Sequence, residues 1–281
     1  VAEMTKNLEC KTEEEMMAIK VDGALQISSI MKFYSFMTIV AYFVKPEVVL
    51  PICCRMVELT LARGVTKHSL MGLLQYSAAL CQRSRHKTEI ASEVQAPCNL
   101  AKLAISLLDR IESSDIIGRA YFIYYGLIAH YAEPIQSCGK WLSKGFEAGM
   151  SNGDTFSAFF CANQRIRLTL IGGGNLSTLL RESDYYLSVV EQHGNILSKK
   201  LFLMYQQTIR VLIDKGGSNQ NGDGANELGQ SDVRMAETMN FQKALQSFWL
   251  GYAERCHHYV LKLLQTNLIG RHHRLIINFY H

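Results

Sequence analysis

An all-α fold, built as an α-solenoid of antiparallel helix hairpins, is what this sequence predicts, and three observations predict it. The 281 residues hold four prolines, Pro46, Pro51, Pro97 and Pro134, so long intervals are free of the ring that breaks helices. Apolar residues recur at helical spacing in run after run, and glycines or capping side chains close the runs. From Gly153 to Gly194 is 41 residues, room for two helices and their turns and near the period of two-helix repeats.

The stretch from Pro134 to Leu176 shows the hairpin most clearly. In its first run Cys138, Leu142, Gly145 and Gly149 fall on one helical face, with Trp141 and Phe146 beside it. In the second, Phe156, Phe159, Phe160, Ile166 and Leu170 keep near-helical spacing. Gly153 suits a left-handed C-cap and Asp154 the N-cap of the next helix. Gly145, Ala148 and Gly149 let a neighbouring helix approach closely. An inter-helix seam of Trp141, Gly145, Phe146 and Gly149, turned by Gly153 and Asp154, is therefore expected.

The other elements follow in order. Residues 1–20 form a mixed leading segment with an acidic patch at Glu13-Glu14-Glu15. A helix spans Asp22 to Val44. Its apolar run, 33–44, is twelve residues bounded by Lys32 and Lys45-Pro46-Glu47, and a membrane span needs about 20; a buried helix is expected instead. Pro46 starts a second helix at a favoured first-turn position, and Arg63-Gly64 ends it. A third helix runs from about Lys67 to Cys81, residues 82–95 read as a loop or weak helix, and Pro97 opens a fourth. Ser113-Ser114-Asp115 is a turn, and the fifth helix reaches Ala132. After the hairpin, helices run from Asn175 to Gln192 and from Ile196 to about Lys215, the latter after the glycine-plus-cap His193-Gly194-Asn195.

Residues 216–232 carry five glycines and almost no apolar side chains, the composition of a flexible loop. Helical pattern resumes near Met239, with Phe241, Leu245, Phe248 and Trp249 as one stripe and a break at Gly251-Tyr252. The domain reading is a leading segment 1–20, a helical array 21–215, the loop 216–232, and a further repeat 233–281 that stops mid-pattern. A chain beginning at Val1 and stopping so is expected to be a piece of a longer protein.

Composition bounds the function classes. A net charge of +4 implies no nucleic acid by itself. The eight cysteines form no CxxC and several sit in apolar runs, which suits reduced thiols in a cytoplasmic protein. Gly172-Gly173-Gly174 precedes a helix, but no strand and no phosphate-loop lysine accompany it, so it reads as a turn. Glu254 and His257 have the E-x-x-H spacing of di-iron helices in a single copy, where two are needed. His257-His258 and His272-His273 are adjacent and point to different helix faces, a poor arrangement for one metal. Lys262, Arg271 and Arg274 gather charge without interleaved aromatics, a weak basis for RNA binding. In the aromatic pairs Tyr124-Tyr125, Phe159-Phe160 and Tyr185-Tyr186, one ring is expected to pack inward and the other to cover a seam. No residue pattern names a catalytic, metal or cofactor site.

Three segments carry a resemblance. Ala41-Tyr42-Phe43 with Pro46, then Arg55-Met56-Val57-Glu58-Leu59-Thr60-Leu61-Ala62-Arg63-Gly64, is similar to the "AYF–P–(R/K)MV-L-S/T-L–G" segment of the tetratricopeptide-like helical region in large signalling ATPases of the STAND class. Gly145-Phe146-Glu147-Ala148-Gly149, followed by Gly153-Asp154 and Ala158, resembles that family's "EAG–GD–A" segment. Leu250-Gly251-Tyr252-Ala253-Glu254-Arg255 resembles its "GDY-x-x-A" turn, without the aspartate and with Cys256 in place of alanine. The resemblance covers about residues 20–281.

It implies a non-catalytic regulatory and interaction region that couples an upstream AAA-type ATPase and kinase-like module to a downstream output module. The ATP site would then lie outside this chain, the cofactor requirement within it would be none, and the partners would be proteins or adjacent domains rather than membrane or nucleic acid. Two other classes stay open: an all-α enzyme with a dispersed site, and an RNA-binding helical repeat.

Overall fold

The computed structural model describes residues 25–83, 90–108, 114–214 and 233–265, with isolated positions 15, 18, 19, 110 and 111. Among the described residues the fold is all-helical, with no strand and a lone bridge at Val65. The chain divides into two compact units, Val1–Cys161 and Ala162–His281, and the division falls inside one helix.

The first unit holds α1 (Leu25–Val44), α2 (Val49–Arg63), α3 (Lys67–Arg83), α4 (Ile90–Leu108), α5 (Ile117–Leu127), α6 (Cys138–Ser151) and the start of α7 (Thr155–Ile171). Each of α1 to α5 packs on the helix that follows it, and α3 also meets α1 and α5. With neighbours on several sides, α3 is buried nearly all round: Leu70, Met71, Leu73, Leu74 and Tyr76 are enclosed, and so are the polar Ser69 and Ser77. Burying each such side chain stabilises the fold by ~1.5–3 kcal/mol. Its first turn is closed reciprocally. Thr66 N–H donates to Ser69 Oγ at 2.9 Å, and Ser69 N–H to Thr66 Oγ1 at 3.2 Å, in the manner of a capping box. Gly72 lets α2 approach, since a Cβ there would stand 2.8 Å from Met56 Cβ.

Several boundaries differ from the sequence reading, each for a physical reason. Pro46 opens a 3-10 turn, Pro46–Val48, and α2 starts only at Val49. Pro51 has no N–H for the carbonyl four residues back, so the chain enters α2 through a tighter turn. Pro97 lies inside α4 rather than at its start, because the helix begins at Ile90. Burial of Val94, Cys98, Ala101 and Ala104 along one stripe holds that helix together across the missing hydrogen bond. The fifth helix ends at Leu127 rather than Ala132, and a 3-10 turn, Ala129–Tyr131, follows. Pro134 biases the residue before it away from helical backbone. Helix α1 is not the buried helix expected, for one of its faces is exposed. Among the described residues no helix is long and apolar enough to cross a membrane.

The second unit holds the rest of α7, then α8 (Leu176–Gln192), α9 (Ile196–Ile213), α10 (Val233–Trp249) and α11 (Ala253–Gln265). Helix α8 packs on α9, α9 on α10 and α10 on α11. A polar link accompanies each of the first junctions. Arg165 forks onto Glu182 with N–H···O distances of 3.0 and 2.8 Å, tying α7 to α8. Gln206 Nε2 donates to Asp184 Oδ1 at 2.9 Å, tying α8 to α9. Thr208 bonds Gln242 and accepts from Gln246 Nε2, tying α9 to α10. Helix α10 begins at Val233, earlier than the Met239 its apolar pattern suggests. Its stripe is also narrower than expected: Phe241 and Leu245 are buried, but Trp249 is 50% exposed, standing ~80° round the helix from Phe241. The loop 216–232 and the segment beyond Gln265 lie outside the described residues.

The turns repeat one construction. Gly173, Gly194 and Gly251 have φ of 75°, 64° and 75°. At each, the glycine N–H bonds the carbonyl three residues back and the next N–H bonds the carbonyl five back, the Schellman closure. The second of these bonds measures 2.9, 3.3 and 2.8 Å from the N–H of Gly174, Asn195 and Tyr252 in turn. Asn175 and Asn195 then cap α8 and α9, accepting from Thr178 and Ser198 N–H at 2.9 Å each.

Two outcomes are expected. Asn195→Ala removes a cap and should lower stability by about 1 kcal/mol, and Gly194→Ala should cost ~1–2 kcal/mol because its backbone is left-handed; thermal melts followed by circular dichroism read both. Burial holds the buried His68 imidazole down to about 4, with Lys67 adding to the effect. The folded state therefore keeps it neutral, and its contribution is intact above the unfolded value near 6.5 and falls as pH drops towards 4. Stability should decline by about 2 kcal/mol between pH 7 and pH 5 from this group, and His68→Asn should flatten that part of the denaturation-versus-pH curve.

Candidate functional site

In the first unit, α5, α6 and the start of α7 approach one another closely. Three glycines permit it. A Cβ on Gly118 would stand 3.0 Å from Gly145 O and 3.1 Å from Gly149 Cα. One on Gly145 would stand 2.7 Å from Cys161 Sγ, and one on Gly149 would stand 2.9 Å from both Ala158 Cβ and Asp154 O. The Cys161 thiol, fully buried, donates to the Gly118 carbonyl at 3.3 Å.

The turn that follows is anchored at both ends. Gly153 has φ of 76°. Asp154 caps α7 through Ser157, accepting from its N–H at 3.1 Å and its Oγ–H at 2.7 Å. The same carboxylate lies 3.5 Å from Arg119, both side chains being largely buried, where screening by solvent is weaker. Asn152 Nδ2 donates to Ser114 O at 3.0 Å, fastening the turn to the approach of α5.

One helical turn away, Trp141 stacks on Tyr125 at 5.3 Å with rings 6° apart, and meets Tyr121 edge-on at 5.8 Å. Lys144 and Lys140 sit over the indole at 4.6 and 5.1 Å, contacts worth ~0.5–1 kcal/mol each at an exposed site. The structure thus gathers Trp141, Gly145 and Gly149 on one side of α6, with Gly153 and Asp154 at its end. Phe146 is buried too. Sequence reasoning named Tyr125 as one of an aromatic pair but missed Gly118, Arg119, Tyr121 and Cys161, which complete the contact from the facing helices. Only the pairing of helices reveals them.

The aromatic pairs behave less uniformly than expected. Tyr124 and Tyr125 are both buried, because α5 packs against α3, α4 and α6 together. In Tyr185-Tyr186 the second ring is buried and the first exposed. Tyr124 donates to Glu133 Oε1 at 3.0 Å, and burial and then that bond push its phenol up.

Burial pushes the Cys53 thiol up to about 12 and Cys138 to about 11, and it raises Cys161 as well. Thiols held so are poor nucleophiles. The described cysteines, 53, 54, 81, 98, 138, 161 and 256, form no disulfide among themselves. Glu254, His257, His258 and Lys262 lie exposed on α11. Gly172-Gly173-Gly174 forms the Schellman turn after α7. His272, His273, Arg271 and Arg274 lie outside the described residues. Among the described residues no group of three His, Cys, Asp or Glu side chains is placed to hold a metal.

The second unit carries an open pocket of about 310 Å³ lined by Leu170, Gly173, Gly174, Leu176, Leu212, Trp249 and Leu250. No titratable side chain lines it, so it offers nothing for acid–base chemistry and suits an apolar group. Compared with protein-family models, curated proteins and solved structures, the chain matches none of them.

Gly149→Ala should lower stability by ~1–3 kcal/mol, because the atoms in its way include backbone that cannot yield; Gly145→Leu should do at least as much. Glu147→Ala, on the exposed side of the same helix, should leave the thermal melt nearly unchanged.

Proposed function

We propose that this chain is a helical-repeat regulatory and interaction region of a multidomain, ATP-dependent signal-transduction protein, coupling an ATPase and kinase-like module to an output module. In this reading the helices form a solenoid of antiparallel hairpins, and bond chemistry belongs to neighbouring modules. The one observation that carries it is where the segment resembling "EAG–GD–A" falls. Gly149, Gly153, Asp154 and Ala158 are residues of the close contact between α5, α6 and α7 and of its anchored turn. The segment from Ala41 to Gly64 supports it in the same sense. Met56, Val57 and Thr60 are buried in α2, and Gly64 ends that helix with φ of 120°.

A coupling element of this kind works by conformational bias, so its rigid contacts matter more than any exposed side chain. Two measurements test the proposal. The reading frame upstream should encode a phosphate loop of the form GxxxxGK[ST]; a frame without a nucleotide-binding module would overturn it. In the whole protein, Gly149→Ala should leave ATP binding within about twofold while lowering output activity severalfold. Equal loss of both, or of neither, would count against coupling.

A further inference from the structure

Helix α1 is built inside out. Its inward face carries Met31, Ser35, Thr38 and Ala41, all buried. The Thr38 hydroxyl lies 2.8 Å from both the Ser35 carbonyl and Gln75 Oε1, so hydrogen bonds satisfy the polar side of that face. Met31 apart, most of the larger apolar side chains lie on the outer side. Phe33 is 64% exposed, Val40 62% and Val44 79%, and Ile30, Phe36 and Met37 are exposed beside them. The Arg119 guanidinium lies 5.5 Å from the Phe36 ring centroid.

Three properties of this face point to what covers it. Ile30, Phe33, Met37, Val40 and Val44 follow one another at intervals of 3, 4, 3 and 4 residues, the spacing of a coiled-coil seam. Read backwards, the same positions again make an alternating 3-and-4 seam. An isologous contact requires such self-complementarity. Lys32 is the single charged residue of the helix, so two copies meet with little like-charge repulsion. The exposed parts of six side chains this size present on the order of 600 Å² per copy. Two copies face to face then bury ~1,200 Å², the lower bound for a stable interface. The leading residues 1–20 offer no matching seam, since Lys11-Thr12-Glu13-Glu14-Glu15 interrupts their apolar positions.

We propose that α1 is a homodimer interface, through which two copies of this chain pair antiparallel about a twofold axis near Phe36 and Met37. Ile30 then faces Val44 of the second copy, and Phe33 faces Val40. Sedimentation velocity of the full chain at tens of micromolar is expected to give twice the mass of one chain. The double variant Phe33→Ser, Val40→Ser is expected to give one chain mass, with association weakened at least tenfold and the helical circular dichroism kept. A single-chain mass for the unaltered protein would overturn the proposal, including the case where Val40→Ser lowers its melting temperature because the face is covered within one chain. An undiminished dimer in the folded double variant would overturn it as well. Should that variant fail to fold, single cysteines decide. Met37→Cys, near the axis, should cross-link its counterpart under diamide, and Val44→Cys should add nothing to the background of the native thiols. Equal cross-linking at both positions would overturn the antiparallel pairing.

Discussion

The first unit depends on how closely three backbones can approach at Gly118, Gly145 and Gly149. Packed interiors are as dense as organic crystals, so an added methyl group there finds no room to be absorbed. With Cβ positions 2.7–3.0 Å from the nearest atoms, each glycine is required by the contact it makes. The approach in turn places the Cys161 thiol on the Gly118 carbonyl and brings Asp154 to Arg119. Remove the small residues and these polar contacts lose their geometry together, because they sit on the backbones that the glycines admit.

Much of the fold was legible. Helical class followed from periodicity and scarce proline, and the closing glycines stand at helix ends, with left-handed backbone at Gly153, Gly173, Gly194 and Gly251. What sequence could not show was which side of a helix faces inward when its composition is ambiguous. In α1 apolar residues outnumber polar ones, and hydrophobicity alone assigns Phe33 and Val40 to the core. The folded chain instead buries Ser35 and Thr38, since Gln75 gives Thr38 a partner. Pro97 misled for a similar reason, as tertiary burial on both sides of it outweighs one lost hydrogen bond. At the candidate site the α6 half was readable from small residues four apart. The α5 half was not, for Gly118 and Arg119 acquire meaning only when α5 is laid against α6.

The repeated turn refines the idea of a period. Gly153-Asp154-Thr155-Phe156-Ser157, Gly174-Asn175-Leu176-Ser177-Thr178 and Gly194-Asn195-Ile196-Leu197-Ser198 share one pattern, glycine, Asx and a Ser or Thr three residues after it. They lie 21 and 20 residues apart, so the recurring unit is a single helix with its cap, half the 41-residue spacing. In all three the Asx side chain accepts from the N–H of that Ser or Thr. The helices between them differ in nearly every core residue. The physical demand that recurs is how the chain turns, and the apolar faces have only to remain apolar.

The buried sulfur of Cys161 has a practical consequence. It sits beneath Gly145, fully enclosed, with its proton held by burial and by the Gly118 carbonyl. A thiol so enclosed reacts with an alkylating reagent only after the three backbones part. Its labelling rate in the native protein is therefore a built-in timer for that separation, and any event that loosens this unit would be heard first as a faster tick at this one atom.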